Sequence, residues 1–315
     1  MLARPFAARA QQAQKVRRIG YLAGFQSSAP ATQRGQELIR EALRRSGWEE
    51  GKNLIIEWRY AEGNVERLPA LAQELVGLKV ELIVATFNSS ITAARRATRT
   101  VPIVMHAATD PVGAGFVTTL ARPGGNVTGT VWSGPEIAAK ILEVARQTKP
   151  GAARVATLMS SGPVFQLWKR ENDNAARALG VSVQYFEVNR AEDLVPVLER
   201  VATARPDVVV AWGDAITISR ARELTAFAIE RKLALISASP VHGEQGALVS
   251  YAPDLSAMRD RTMSFVDRIL RGATPAELPV EQPTKFELIV NAKTARAIGH
   301  NLPPVLLLQA TRVIE

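Results

Sequence analysis

The chain has no cysteine among its 315 residues and only three histidines. The first absence excludes disulfides, thiolate nucleophiles and Cys-ligated zinc or iron–sulfur centres, and it suits a cytoplasmic or an exported bacterial protein equally. The second leaves His106, His242 and His300 without metal-ligand spacing. Neither a metal nor a cofactor is therefore expected. Long apolar runs are missing too. The nearest, Val208 to Trp212 and Pro303 to Leu308, fall far short of a membrane span. There is no G-x-G-x-x-G fingerprint, no phosphate-loop lysine motif and no G-x-S-x-G elbow, and no serine has a plausible histidine and acid partner. No catalytic residue stands out, and a non-enzyme is expected.

Hydrophobic residues make up 47% of the chain, enough for a sizeable core. The formal charge is +9 and the isoelectric point about 10.1. Arg40, Arg44, Arg45, Arg95, Arg96, Arg220 and Arg222 are spread over helix faces rather than gathered in a reading motif, so solvated surfaces are expected and no nucleic-acid partner. Ala8-Arg9-Ala10 has the small-x-small pattern of a signal-peptidase site but follows no apolar core. These residues are either a flexible tail or the end of a longer export signal.

Strand and helix patterns alternate from Arg18 onward: strands at 18–24, 53–60, 80–87 and 102–108, a turn cluster entering a fifth at 122–132, and apolar helical faces between them. The order restarts at Arg154. "RVATLMSS" echoes "RIGYLAGF", and "ARPDVVVAWGDA" echoes "LKVELIVATFNS". This predicts an α/β protein of two doubly wound parallel-sheet lobes with right-handed crossovers. The tail, a helix over 254–272, a proline-rich crossing, one strand and a short helix, revisits both lobes. A multi-strand hinge results. The expected division is residues 1–16 as leader remnant and tail, 17–133 plus 254–279 as one lobe, and 134–253 plus 280–315 as the other.

In such sheets ligands sit beyond the carboxyl ends of the strands. The candidates there are Ser27 and Ser28, then Thr86, Phe87, Asn88, Ser89 and Ser90, then Asp110 in the first lobe; and Ser160, Ser161, Trp212 and Asp214 in the second. Hydroxyls ahead of a helix N-terminus suit a singly charged carboxylate, although Asn88 or Ser89 could simply cap the helix. Asp110 could pair with an ammonium group, completing a site for an α-amino acid, or could cap the turn to Gly113. Asp214 occupies the matching strand end and would approach on closure. Phe25, Phe87, Phe165 and Trp212 could form an apolar pocket, whereas His106, ending a strand, is expected to be packed.

The stretches "DPVGAGFVTTLARPGGNVTG", "ALVSYAPDL", "RILRGATPAELPVEQPTKFELIVNAKTARAIG" and "LPPVLLLQATRVIE" resemble the ABC-transporter substrate-binding family linked to tryptophan and tyrosine uptake, over about 17–315. The resemblance implies a type I periplasmic-binding-protein fold, a monomer in the periplasm, and a small carboxylate-bearing ligand such as an aromatic amino acid. Its implied partners are an ABC permease and its ATPase. It also implies that "AARAQ" ends an export signal, with Gln11 as the mature terminus. Carried over by motif, Thr86 to Ser90 and Asp110 form the first-lobe site, and Ser160, Ser161 and Asp214 its counterpart. Thr86-Phe87-Asn88-Ser89 replaces the Thr-Gly-Thr-Pro common in relatives, so Phe87 is expected to narrow the pocket. Ser160-Ser161-Gly162 replaces Asn-Pro-Asn. The alternatives are a two-lobed racemase or small hydrolase using Asp110 and Asp214, and a stand-alone sensory ligand domain.

Overall fold

The computed structural model describes residues 16–133, 137–161 and 165–315. Of the expected leader remnant and tail, residues 1–15 lie outside the described residues, as does Gly162. The first half runs β1 (Arg17–Ala23), α1 (Pro30–Arg45), β2 (Leu54–Tyr60), α2 (Leu68–Gly77), β3 (Leu82–Thr86), α3 (Phe87–Ala97), β4 (Ile103–Thr109) and β5 (Val127–Ser133). The second half runs α4 (Ile137–Thr148), β6 (Arg154–Met159), α5 (Phe165–Leu179), β7 (Ser182–Glu187), α6 (Leu194–Thr203), β8 (Val208–Ala211), α7 (Ala215–Ser219), α8 (Ala221–Glu230), β9 (Leu235–Ser237), α9 (Pro240–Gln245) and β10 (Val249–Pro253). Then come α10 (Leu255–Leu270), β11 (Phe286–Asn291), α11 (Ala292–Ile298), α12 (Pro304–Gln309) and β12 (Arg312–Ile314).

Local chemistry accounts for these elements. In α1, Ile39, Ala42 and Leu43 fall at helical spacing and are buried. The helix stops where Gly47 takes a φ of 89°, a conformation that glycine adopts without a Cβ penalty. All five residues of β3 are buried, as a central parallel strand covered on both faces requires.

The first sheet has the order β2-β1-β3-β4-β5 with every pairing parallel. The second repeats that order as β7-β6-β8-β9-β10 and extends it with β11 and β12. The two-lobed α/β architecture is therefore as expected, with one addition: β11 runs antiparallel to β10, so the second sheet is mixed. The chain crosses between sheets three times, and the crossings are tied together. Glu281 exchanges backbone hydrogen bonds with Gly129 and Val131 of β5, and the Asp254 N–H donates to the Lys285 carbonyl. After β10, helix α10 returns to the first sheet, where Phe265, Val266 and Met263 pack in one cluster with Ile19, Leu43 and Val104. Burying a side chain such as Phe265 is worth about 1.5–3 kcal/mol, so α10 is held firmly against that lobe. No helix among the described residues is long and apolar enough to cross a membrane.

Candidate functional site

In both sheets the order places a topological switch beside the first strand, and a crevice forms beyond the carboxyl ends of the strands there. A cavity of about 170 Å³ lies at this position in the first lobe, and residues from both lobes enclose it. For scale, a dry cavity of about 150 Å³ holds a benzene ring. Strand ends and the loops after them supply Tyr21, Phe25, Tyr60, Phe87, His106 and Trp132; α1 supplies Thr32, Gly35, Gln36 and Ile39. The second half contributes Ile218, Ser239 and Val241, and α10 adds Leu255, Arg259 and Met263.

The aromatic rings line the cavity in two contacting groups. Phe25 meets Phe87 edge-on at 5.7 Å, Phe87 meets Trp132 at 6.2 Å, and Tyr21 meets Tyr60 at 6.1 Å. Such contacts favour offset or edge-on rings and fix the wall's shape. Two wall residues sit on strained backbone: Phe87 has φ 55° and Ala107 has φ 61°. Ala107 falls within the irregular β4–β5 pairing between Met105 and Ala108, so the strand end is re-aimed there.

Apart from Arg259, the titratable side chains among the described lining residues are uncharged. Burial pushes the Tyr21 hydroxyl up and raises the Tyr60 hydroxyl to about 12, so both keep their protons. Burial, with the Arg259 charge adding to it, lowers His106 to about 4, leaving the imidazole neutral. Thr262 Oγ1 donates to the Met258 carbonyl at 2.9 Å and lies 2.8 Å from His106 Nδ1. Thr262 Oγ1 also lies 3.0 Å from Thr130 Oγ1, so the His106 ring is tied into a hydroxyl network between α10 and the first sheet. Arg259 is the one permanently charged side chain among the described lining residues. Its Nε is buried without a hydrogen-bond partner.

The sequence-derived candidates divide sharply. Phe87 lines the cavity, as does the aromatic Phe25. The other eleven candidates do not, and most have local work. Asn88, rather than capping α3, binds both the N–H and the C=O of Thr109 at 2.8 Å, like an added rung on β4. Thr86 is the N-cap of α3 but its side chain makes no cap bond. Ser89 and Ser28 are exposed, while Ser90 is buried with its hydroxyl unpartnered. The Ser27 N–H binds the Glu62 carboxylate at 3.1 Å. Asp110 Oδ1 accepts from the Gly113 N–H at 2.9 Å, the turn arrangement. Asp214 caps α7, accepting from Ile216 N at 3.0 Å and Thr217 N at 2.8 Å, while its other oxygen accepts from Ser160 N at 3.1 Å. Burial raises its carboxyl above the ordinary range. Ser161 binds Asn189 Oδ1 through both its N–H and its hydroxyl. Trp212 packs on Trp168 with ring centroids 4.4 Å apart and planes tilted by 38° in the second-lobe core, where Phe165 also lies. His106, expected to be packed, instead lines the cavity.

Sequence reasoning passed over Tyr21, Tyr60, Trp132 and Arg259. The three aromatics stand inside or at the ends of strands, where alternation reads them as core. Arg259 had a readable signal: Leu255, Arg259 and Met263 recur at i, i+4 and i+8 on one face of α10.

Comparisons with known proteins agree with this architecture. The chain is 26% identical over 277 residues to the tyrosine-binding protein of Clostridioides difficile, covering 85% of this chain and 77% of that one. A Streptococcus pneumonia ABC domain in complex with L-Trp matches with a TM-score of 0.87 at 24% identity, over 95% of this chain and all of that one. The ligand-free, open structure of a Clostridium difficile substrate binding protein matches with a TM-score of 0.67 at 25% identity, over 95% and 99%. The model of the ABC transporter substrate binding protein family matches residues 27–314, so this two-lobed chain with an aromatic-walled cleft belongs to that family.

Proposed function

We propose that the protein is the ligand-capturing component of an ABC uptake system, holding a small aromatic carboxylate between its lobes and delivering it to a permease with its ATPase. The observation that carries this reading is the aromatic wall of Phe25, Phe87, Trp132, Tyr21 and Tyr60, roofed by Ile218, Ser239 and Val241 from the other lobe. A site assembled from two bodies closes as they approach and opens as they part. The similarity values support a closed arrangement. The same share of this chain superposes at 0.87 on a tryptophan complex and at 0.67 on an open, ligand-free structure. The tyrosine bound by the Clostridioides difficile relative belongs to the same ligand class. We assign the lobes as 17–133 plus 254–279 and 134–253 plus 280–315, supported by the packing of α10 on the first sheet. Export to the periplasm and action as a monomer complete the reading.

A racemase or hydrolase would need Asp110 and Asp214 to face one substrate. The occupied backbone contacts of both carboxylates weigh against it.

Gly35 provides the test. It lines the cavity on α1, and a Cβ built there meets no atom within 4 Å. Gly35→Leu should fill the cavity while retaining or raising stability, because removing a helix-interior glycine gains up to about 1 kcal/mol. A ligand bound only by the folded state raises the thermal midpoint, so wild type should respond to aromatic carboxylates and Gly35→Leu should not. An equal response in both proteins would place the ligand elsewhere.

A further inference from the structure

We propose that Arg259 is the carboxylate anchor of this cleft, and that the preferred ligand is an aromatic monoanion carrying no ammonium group: an arylalkanoate or aryl 2-oxo acid rather than an amino acid. The inference rests on the proposed ligand-binding reading and sharpens its substrate class.

The argument starts from what surrounds the guanidinium. On the same helix, Arg261 pairs with Glu281, and just beyond its end Arg271 pairs with Asp267 at 2.7 Å. Arg45, across from α10, pairs with Asp260 at 2.7 Å. Arg259 has no carboxylate within bridging distance among the described residues. Its Nη2 donates to the Ser256 hydroxyl at 3.0 Å, and its Nε stays buried and unpartnered. Asp260, Asp254 and Glu41 act on it only from a distance, and Arg45 opposes them. A desolvated cation without a counter-ion is costly, and an arriving carboxylate supplies that counter-ion through charge-assisted hydrogen bonds.

The rest of the lining selects against a second charge. Among the described lining residues there is no aspartate or glutamate. His106 is neutral. An amino acid's ammonium would thus enter beside Arg259, both cations sharing an aromatic cavity whose described lining residues supply no anion beyond the ligand's own carboxylate. A monoanion leaves the cavity neutral. Two further donors suit an acid: Tyr60 Oη accepts from Gln36 Nε2 at 3.0 Å and so keeps its own proton to donate, and Ser239 Oγ, fully buried on the opposite lobe, has no partner. Ser239 thereby gives the second lobe a reason to close over a carboxylate or carbonyl oxygen.

The test is calorimetry on the full chain with three probes that share a ring and chain length: 3-phenylpropionate, L-phenylalanine and 3-phenylpropanamide. The acid should bind at least about ten-fold more tightly than either of the others, the usual worth of a charge-assisted hydrogen bond. Arg259→Met should collapse the acid-to-amide ratio by about ten-fold or more while leaving the amide's own affinity within about three-fold, and Arg259→Lys should recover part of the ratio. Because the readout is a ratio within one variant, a change in its stability does not obscure it. Tighter binding of L-phenylalanine than of the acid, or an unchanged ratio in Arg259→Met, overturns the proposal and leaves the ring-binding cleft standing. Failure of all three probes to bind wild type, or binding that Gly35→Leu does not diminish, overturns the cleft reading and this inference with it.

Discussion

Phe87 opens α3 with φ 55°, and its ring contacts Phe25 and Trp132 in the cavity wall. A bulky residue held in the left-handed region costs roughly 1–2 kcal/mol. Such strain persists only where the surroundings enforce it, commonly at a ligand site. Truncation separates the two contributions. Phe87→Ala removes the ring but keeps the strain. Two aromatic contacts of about 0.5–1.5 kcal/mol each are lost, with about 1 kcal/mol more for half-buried area, giving roughly 2–4 kcal/mol in all. Phe87→Gly loses the same ring and also releases the strain, offset by about 0.4–1 kcal/mol for the freer unfolded chain. The glycine variant should therefore be the more stable of the two by about 0.5–1 kcal/mol, or roughly 1–4 °C in Tm. That ranking reverses the ordinary one. At Thr92, inside the same helix, alanine should exceed glycine by about 1 kcal/mol. Urea unfolding of the four variants decides the matter. If Phe87→Ala equals or exceeds Phe87→Gly in stability, the turn stores no strain. Both Phe87 variants should also bind aromatic carboxylates weakly.

Two further outcomes concern Asn88 and the buried histidines. Asn88→Ala should cost about 1–3 kcal/mol by removing the paired bonds to Thr109, and should loosen the strand end that carries His106 and Ala107, so affinity and melting temperature fall together; unchanged melting would refute the rung. Burial holds both His106 and His242 at about 4, against 6.5 unfolded. Between those values the unfolded chain binds more protons, so stability is complete above pH 6.5 and falls as the pH drops toward 4. The slope is about 1.4 kcal/mol per pH unit for each histidine, on the order of 3 kcal/mol for each over the whole window. Measured between pH 6.5 and 5, above most carboxylate titration, His106→Gln should remove about half of this slope; a wild-type slope near zero would refute it.

The fold was legible because its signals are local. Leu82 to Thr86 is an apolar run of strand length, Gly47 ends α1 where the helical pattern ends, and the restart at Arg154 follows from a repeated order. The antiparallel entry of β11 was not legible, since nothing in its residues encodes which edge of the second sheet they will meet. The candidate site was legible only in location. The strand-end rule led to Phe25 and Phe87, yet the polar residues it also selected carry a sequence ambiguity. An aspartate two or three residues ahead of backbone N–H groups is equally placed to cap them or to receive a ligand, and Asp110 and Asp214 both cap.

Arg259 illustrates the opposite case. Strand ends are where polar side chains are expected, so a cation there draws notice, whereas a cation on a helix is assigned to solvent. The stripe Leu255, Arg259, Met263 contradicts that assignment, because a side chain four residues from each of two cavity-lining neighbours shares their face. An arginine pointing the same way as a leucine and a methionine must either find an acid in the fold or wait for one. The acids nearest to it, Asp254 and Asp260, cap the helix and pair with Arg45, so neither neutralises it. The helix that carries it follows the chain's second crossing from the far lobe, so the one uncompensated charge among the cleft's described residues stands just beyond the hinge. Because α10 packs on the first lobe, an anion held by Arg259 would meet Ser239 of the other lobe only in the closed state, and a ligand shifts a two-state equilibrium only through such a difference.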